Sequence, residues 1–214
     1  MHLVTFTSNG ITRTGRLEGE EVVDLAAGGL PAEMTALLEA GVEAAARADG
    51  PRLALAEVRL ESPVLRPPKI LAVGLNYADH VAETGMDRPK FPMIFNKQST
   101  AASGPYAPFH RPKVSKALDY EGELAVVVGR RCRHVPRDRA LDVVAGYCIA
   151  NDVSVRDWQL RVPTMTMGKS FDTHCPLGPA IVTPDELGDG SGLDLRTFVN
   201  GEIRQQSNTR ELIF

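Results

Sequence analysis

The stretch LDYEGELAVVVG, Leu118 to Gly129, sets two glutamates two residues apart at the head of a short apolar run. A strand points alternate side chains to one face, so Glu121 and Glu123 share a face here. Short β-like runs of the same kind recur from Lys69 onward: KILAVGL, PMIFNK, ELAVVVG, GYCIANDV, GPAIVT and LRTFVNGEIRQ, the last holding an Asn200-Gly201 hairpin turn. Helical patterns between them are few and short. That argues against alternating βαβ units and for a mainly β roll or barrel with peripheral helices, an α+β class.

The two glutamates admit two readings. If their face is inward, the carboxylates repel each other and each loses several kcal/mol of hydration, on the order of 2–7 for an unpaired polar group. If the strand lies at a wet edge, they cost nothing. Asp152 in GYCIANDVSVRDWQ, again an acid closing an apolar β-like run, favours the first reading. Three carboxylates without paired histidines or cysteines suit a hard cation, Mg²⁺ or Mn²⁺ with Ca²⁺ also compatible, better than zinc.

Upstream, LVTFTSNGITRTGRLEGEEVVDL is β-rich, with Asn9-Gly10 as a two-residue hairpin turn and EGEE as a second turn. PAEMTALLEAGVEAAARADGP then sets Met34, Leu37, Leu38 and Val42 at helical spacing, opening at Pro31 and stopping at Gly50-Pro51. One amphipathic helix on a β-meander is expected. ESPVLRPPK, Glu61 to Lys69, carries three prolines and reads as a linker. Residues 1–62 are therefore expected to form a small N-terminal module and 63–214 the larger unit.

The chain has 214 residues, 43% hydrophobic and 24% charged, with a formal net charge of −3. Nothing there calls for nucleic acid, no run reaches membrane-spanning length, and the start lacks a signal-peptide pattern. A soluble cytoplasmic protein is the expectation. Cys132, Cys148 and Cys175 are odd in number and form no C-x-x-C pair, so they read as packing residues.

VGLNYADHVAETG, Val73 to Gly85, follows a strand, offers Asn76 as N-cap and Gly85 as C-cap, and so encodes a short helix. His80 and Glu83 then lie one turn apart. A carboxylate there orients an imidazole as a general base, or the two form an ordinary solvated pair.

Taken together, VGLNYADHVAETG, FNK, DYEGELAVVVG, GYCIANDVSVRDWQ, GKSFDTHCPLGP and FVNGEIRQQSNTRELIF resemble, in this order, the fumarylacetoacetate hydrolase superfamily over Lys69 to Phe214. The resemblance implies a mixed β-roll and a metal held by Glu121, Glu123 and Asp152. It implies a His80-Glu83 dyad on a mobile lid helix, Lys169 reaching a substrate oxygen, and Gln159 and Arg156 at the substrate. Lys97 of FNK is a further site candidate, followed by Gln98 where the family usually has proline. A homodimer is implied as well. Family members continue with a Gly-Asp-x-Ile-x-Thr-Gly-Thr-Pro segment that completes the roll. This chain stops at RELIF as a helix begins, so the last strands of the roll are expected to be missing.

The implied chemistry is metal-dependent C–C hydrolysis of a 2,4-dioxo acid through an enolate, with His80 activating water. Decarboxylation of oxaloacetate-like acids, keto-enol isomerisation or hydration of unsaturated 2-oxo acids use the same centre and stand as alternatives. A non-catalytic or truncated family member is a third. His134 reads as solvated and Trp158 as packing, and His174, just after KSFDT, takes the ordinary structural reading ahead of the alternative that it lines the pocket.

Overall fold

A computed structural model describes residues 1–214. Asn9 and Gly10 take φ of 51° and 76°, the left-handed values a two-residue hairpin requires, and fold His2–Ser8 back onto Ile11–Glu18. Asn200 and Gly201, at 52° and 84°, do the same for Asp194–Val199 and Glu202–Asn208. Gly19 turns the chain from Ile11–Glu18 into Glu21–Asp24. All three turns are where the Gly-containing dipeptides place them.

Nine of the strands assemble into one sheet, and the others pair two by two. The order of the nine is Gly122–Val128, Val144–Asn151, Cys175–Val182, His2–Ser8, Ile11–Glu18, Glu21–Asp24 and Arg52–Ala54, with Arg59–Leu60 also paired to His2–Ser8 and Ala102–Ser103 to Cys175–Val182. The ladders are antiparallel except that Ala102–Ser103 runs parallel to Cys175–Val182, so the sheet is mixed. Ile70–Gly74 and Met93–Lys97 form a separate two-stranded antiparallel sheet. The fold is β-dominated, with short helices at its margins.

His2 and Leu3 pair with Val182 and Ile181, which joins the N-terminal strands to the later ones edge to edge. The main core draws on both parts of the chain: Leu3, Val23, Leu25, Met34, Leu37, Leu38 and Ala45 pack with Ala145 and Ile181. Each buried leucine there contributes about 2 kcal/mol relative to exposure. The expected single helix over 31–51 is two helices, Met34–Ala40 and Val42–Arg47, divided at Gly41. Its φ of 99° lies outside any helical conformation. The apolar spacing placed the inward stripe correctly, and a glycine able to take a positive φ broke the cylinder.

The helix in VGLNYADHVAETG spans Ala78–Thr84 and ends on Gly85 in the left-handed conformation. Its N-cap is Tyr77, not Asn76. Asn76 is engaged instead by the C-terminal residues: its carbonyl accepts from Ile213 N at 2.8 Å and its Oδ1 from Phe214 N at 3.0 Å. RELIF likewise does not begin an α-helix. Thr209–Glu211 forms one 3₁₀ turn, and Leu212 then bridges Tyr77 as extended chain. No helix is long and apolar enough to cross a membrane.

Candidate active site

Glu121 lies one residue before the Gly122–Val128 strand and is still tied into the ladder. Its N–H donates to Asn151 Oδ1 at 3.1 Å and its carbonyl accepts from Asp152 N at 2.8 Å. The end of one strand thereby delivers Glu121 and Glu123, and the end of its neighbour delivers Asp152, to one corner of the sheet.

Two lysines meet these acids. Lys169 Nζ bonds Glu121 Oε2 and lies 2.8 Å from Asp152 Oδ2. Lys97 Nζ lies 2.6 Å from Asp152 Oδ1 and also donates to the carbonyls of Val153 and Lys169. Lys97, Asp152 and Lys169 are 3%, 5% and 2% exposed, so both ammonium groups are buried against their counter-charges. Burial this deep is tolerable only because nearly every donor is used. Gln98, standing where proline is usual, donates its N–H to Ser170 Oγ at 3.1 Å, a bond proline lacks the hydrogen to make.

Arg156 closes the outer side. Its guanidinium bridges Glu121 Oε1 and Asp119 Oδ2, each at 2.7 Å, and donates to Gln159 Oε1 at 2.8 Å. Burial opposes its charge, but Glu121 and Asp119 outweigh that and raise its pKa. Asp119 was not among the expected site residues. The alternation that joined Glu121 to Glu123 extends one step back to it.

Glu123 is different. It forms no ion pair, and burial, then the neighbouring charges of Glu121 and Asp152, push its carboxyl up to about 8, against a lesser opposing effect of Lys169. That missing positive charge, in an all-carboxylate donor set, is what a hard dication supplies. As the side chains stand, no three of them converge in a geometry that would hold an ion. The Lys169 ammonium occupies the place between Glu121 and Asp152. In charge and donor type the residues fit a dication, for which Lys169 would have to yield.

The His80-Glu83 pair forms, with Nδ1 3.6 Å from Oε2, but the side chains are 55% and 82% exposed and touch none of the acids. Their helix is nonetheless anchored beside the site. Ser207 Oγ donates to Asp79 Oδ2 at 2.7 Å, and the Tyr77 phenol is raised to about 12 by burial, then by Glu123 and Asp79. The structure thus brings together Glu121, Asp152, Lys97, Lys169, Arg156 and Gln159, sets Glu123 beside them, and leaves His80 and Glu83 in solvent.

His174 is wholly buried, with Nε2 on the His110 carbonyl at 2.9 Å, and burial lowers its pKa. It packs near Phe171, which in turn meets Trp158 edge-on. His134 is exposed. The three cysteines are free. Burial raises Cys148 to about 12 and Cys175 to about 11, which leaves them protonated and unreactive.

The family profile described as "Fumarylacetoacetate (FAA) hydrolase C-terminal" matches residues 69–214, and one described as "Rv2993c-like, N-terminal" matches residues 1–63. The chain is 44% identical over 192 residues to "Oxaloacetate tautomerase Fahd2a, mitochondrial" of Rattus norvegicus, covering 86% of this chain and 61% of that protein. It thus spans less than two thirds of that relative's length. Among solved structures, 2-hydroxyhepta-2,4-diene-1,7-dioate isomerase from Mycobacterium marinum superposes with a TM-score of 0.80 at 34% identity, over 100% of this chain and 77% of that one. Maleylpyruvate hydrolase from Sphingobium sp. SYK-6, in complex with manganese (II) and pyruvate, gives 0.79 at 34%, over 100% and 78%.

Proposed function

The chain belongs to the fumarylacetoacetate hydrolase family, and from that premise we propose that it is a divalent-metal-dependent enzyme interconverting the keto and enol forms of an oxaloacetate-like 2-oxo acid. The observation that carries this is the buried Lys169 ammonium set between Glu121 and Asp152, beside a Glu123 carboxyl with no counter-charge. Positive charge at that corner stabilises the negative oxygen that an enolate develops. The relative at 44% identity is named for this reaction, and a relative at 34% holds manganese and pyruvate.

Glu121, Glu123 and Asp152 would hold the dication, which supplies Lewis-acid polarisation of the 2-oxo acid when bound. Lys169, released from its carboxylates, donates a hydrogen bond to the carbonyl oxygen as a proton leaves the adjacent carbon. Lys97 keeps Asp152 in place, and Arg156 does so for Glu121 through the bonds described above. Gln159 is oriented by Arg156. His80, steered by Glu83 on the helix that starts beside Glu123, takes the proton from the carbon while the Lys169 ammonium gives one to the oxygen, and the reverse transfers turn the enol back into the keto acid.

A second reading, hydrolysis of a 2,4-dioxo acid, rests on the same His80-Glu83 contact, which equally suits a water-activating base. Homodimer formation accompanies either reading, in keeping with the exposed apolar side chains of Leu71, Ile94, Val126, Val128 and Ile149. Light scattering tests it directly.

Turnover of enol-oxaloacetate, an acylpyruvate and an unsaturated 2-oxo acid, each with Mg²⁺, tests the assignment. Oxaloacetate interconversion with the highest kcat/KM supports it. An acylpyruvate cleaved with higher kcat/KM moves the assignment to hydrolysis, and no turnover of any of the three refutes both.

A further inference from the structure

Gly122–Val128 is the outer strand of the nine-stranded sheet, so its free edge has no neighbouring strand to satisfy its peptides. At Gly122 a side chain fills that edge. Gln205 Oε1 accepts from the Gly122 N–H at 2.9 Å, and Gln205 Nε2 donates to the Gly122 carbonyl at 2.9 Å. These are the two bonds a paired strand would make. Thr197, opposite Gln205 in its hairpin, donates its hydroxyl to the same Oε1 at 2.9 Å and so fixes which end of the amide faces which peptide group. The approach demands glycine: a Cβ at Gly122 would stand 2.3 Å from Thr197 Oγ1 and 3.3 Å from Gln205 Oε1.

On its other edge the same peptide is held through Glu121, which bonds Asn151 and the Asp152 N–H. Three residues carrying both glutamates are thereby gripped from two sides. We infer that Gln205 is a positioning residue, clamping the Gly122 peptide so that Glu121 and Glu123 project together toward the corner holding Asp152. The inference rests on the reading that these three carboxylates hold a dication. Hydrogen bonds behind a set of metal ligands carry much of its affinity, and losing one costs about 10- to 100-fold in binding.

Mn²⁺ binding by calorimetry and Gly122 amide exchange by NMR test the clamp in wild type, Gln205→Leu, Thr197→Val and, as an exposed neighbour on the opposite face, Gln206→Ala. Gln205→Leu should raise the Mn²⁺ Kd by about 10-fold or more and speed Gly122 exchange at least about 10-fold. Thr197→Val, which removes only the orienting hydroxyl, should shift both in the same direction by a smaller factor, about threefold, and Gln206→Ala should shift neither. Wild-type protein that takes up no Mn²⁺ would overturn the metal reading on which the inference rests. Wild-type protein that binds Mn²⁺ alongside a Gln205→Leu variant binding it equally well would overturn the clamp alone. Should Gln205→Leu fail to fold, an unchanged Mn²⁺ Kd in Thr197→Val overturns it as well.

Discussion

Replacing Glu123 by glutamine keeps the side chain's shape and removes its ionisation, and in metal-free protein this should stabilise the fold. The folded carboxyl titrates near 8 against an ordinary 4.5, so between those values the folded protein holds a proton that the unfolded chain has released. Stability contributed by Glu123 is therefore greatest below pH 4.5, falls as pH rises, and levels off above about 8. Each pH unit in that interval removes at most about 1.4 kcal/mol, so the limit at pH 7 is about 3 kcal/mol. The side chain is only partly buried and keeps some hydration, which reduces the expected gain for Glu123→Gln to roughly 1.5 kcal/mol. Urea unfolding followed by the fluorescence of Trp158, with chelator present, measures it at pH 5 and pH 8.5. The variant should exceed wild type slightly at pH 5 and by more at pH 8.5. Saturating Mg²⁺ should reverse the order, because a ligand at about 100 times its Kd adds ~2.7 kcal/mol to wild type and less to the variant. Parallel pH dependences for the two metal-free proteins would refute the uncompensated carboxyl.

Lys97→Met should destabilise the protein by about 3–5 kcal/mol in urea, because Asp152 would keep a buried charge with one partner fewer. Leu37→Ala, which empties a fully buried position beneath the Met34–Ala40 helix, should lower stability by about 2–5 kcal/mol by the same measurement. His80→Ala removes one side of an exposed pair, so unfolding free energy should move by less than about 0.5 kcal/mol. The rate of oxaloacetate interconversion should nevertheless fall on the order of 100-fold, as for loss of a positioned base, and an unchanged rate would remove His80 from the mechanism.

Features set by neighbouring residues were legible in the sequence. Asn9-Gly10 and Asn200-Gly201 turned as hairpins because the left-handed pair is a local demand, and the strand read in ELAVVVG formed as Gly122–Val128, with Glu123 in its ladder and Glu121 one residue ahead of it. The resemblance over Lys69 to Phe214 matches the family assignment from the profile covering 69–214. What could not be read depends on contacts distant in sequence. Nothing near Gly41 distinguishes a continued helix from a break. Asn76 looks like an N-cap until residues 213 and 214 occupy it. Lys97, Asp152 and Lys169 are separated by 55 and 17 positions, and Gln205 reaches Gly122 across 83. Spacing within a motif cannot predict such meetings.

Loss of enol-oxaloacetate, followed by ultraviolet absorbance in chelator-treated protein before and after Mg²⁺ is restored, tests the carboxylate centre most directly. Chelation should lower the rate by at least about 10-fold, Mg²⁺ should restore it, and Glu123→Gln should recover poorly at the same Mg²⁺ concentration. A full rate in excess chelator, with Glu123→Gln indistinguishable from wild type, would contradict the carboxylate centre.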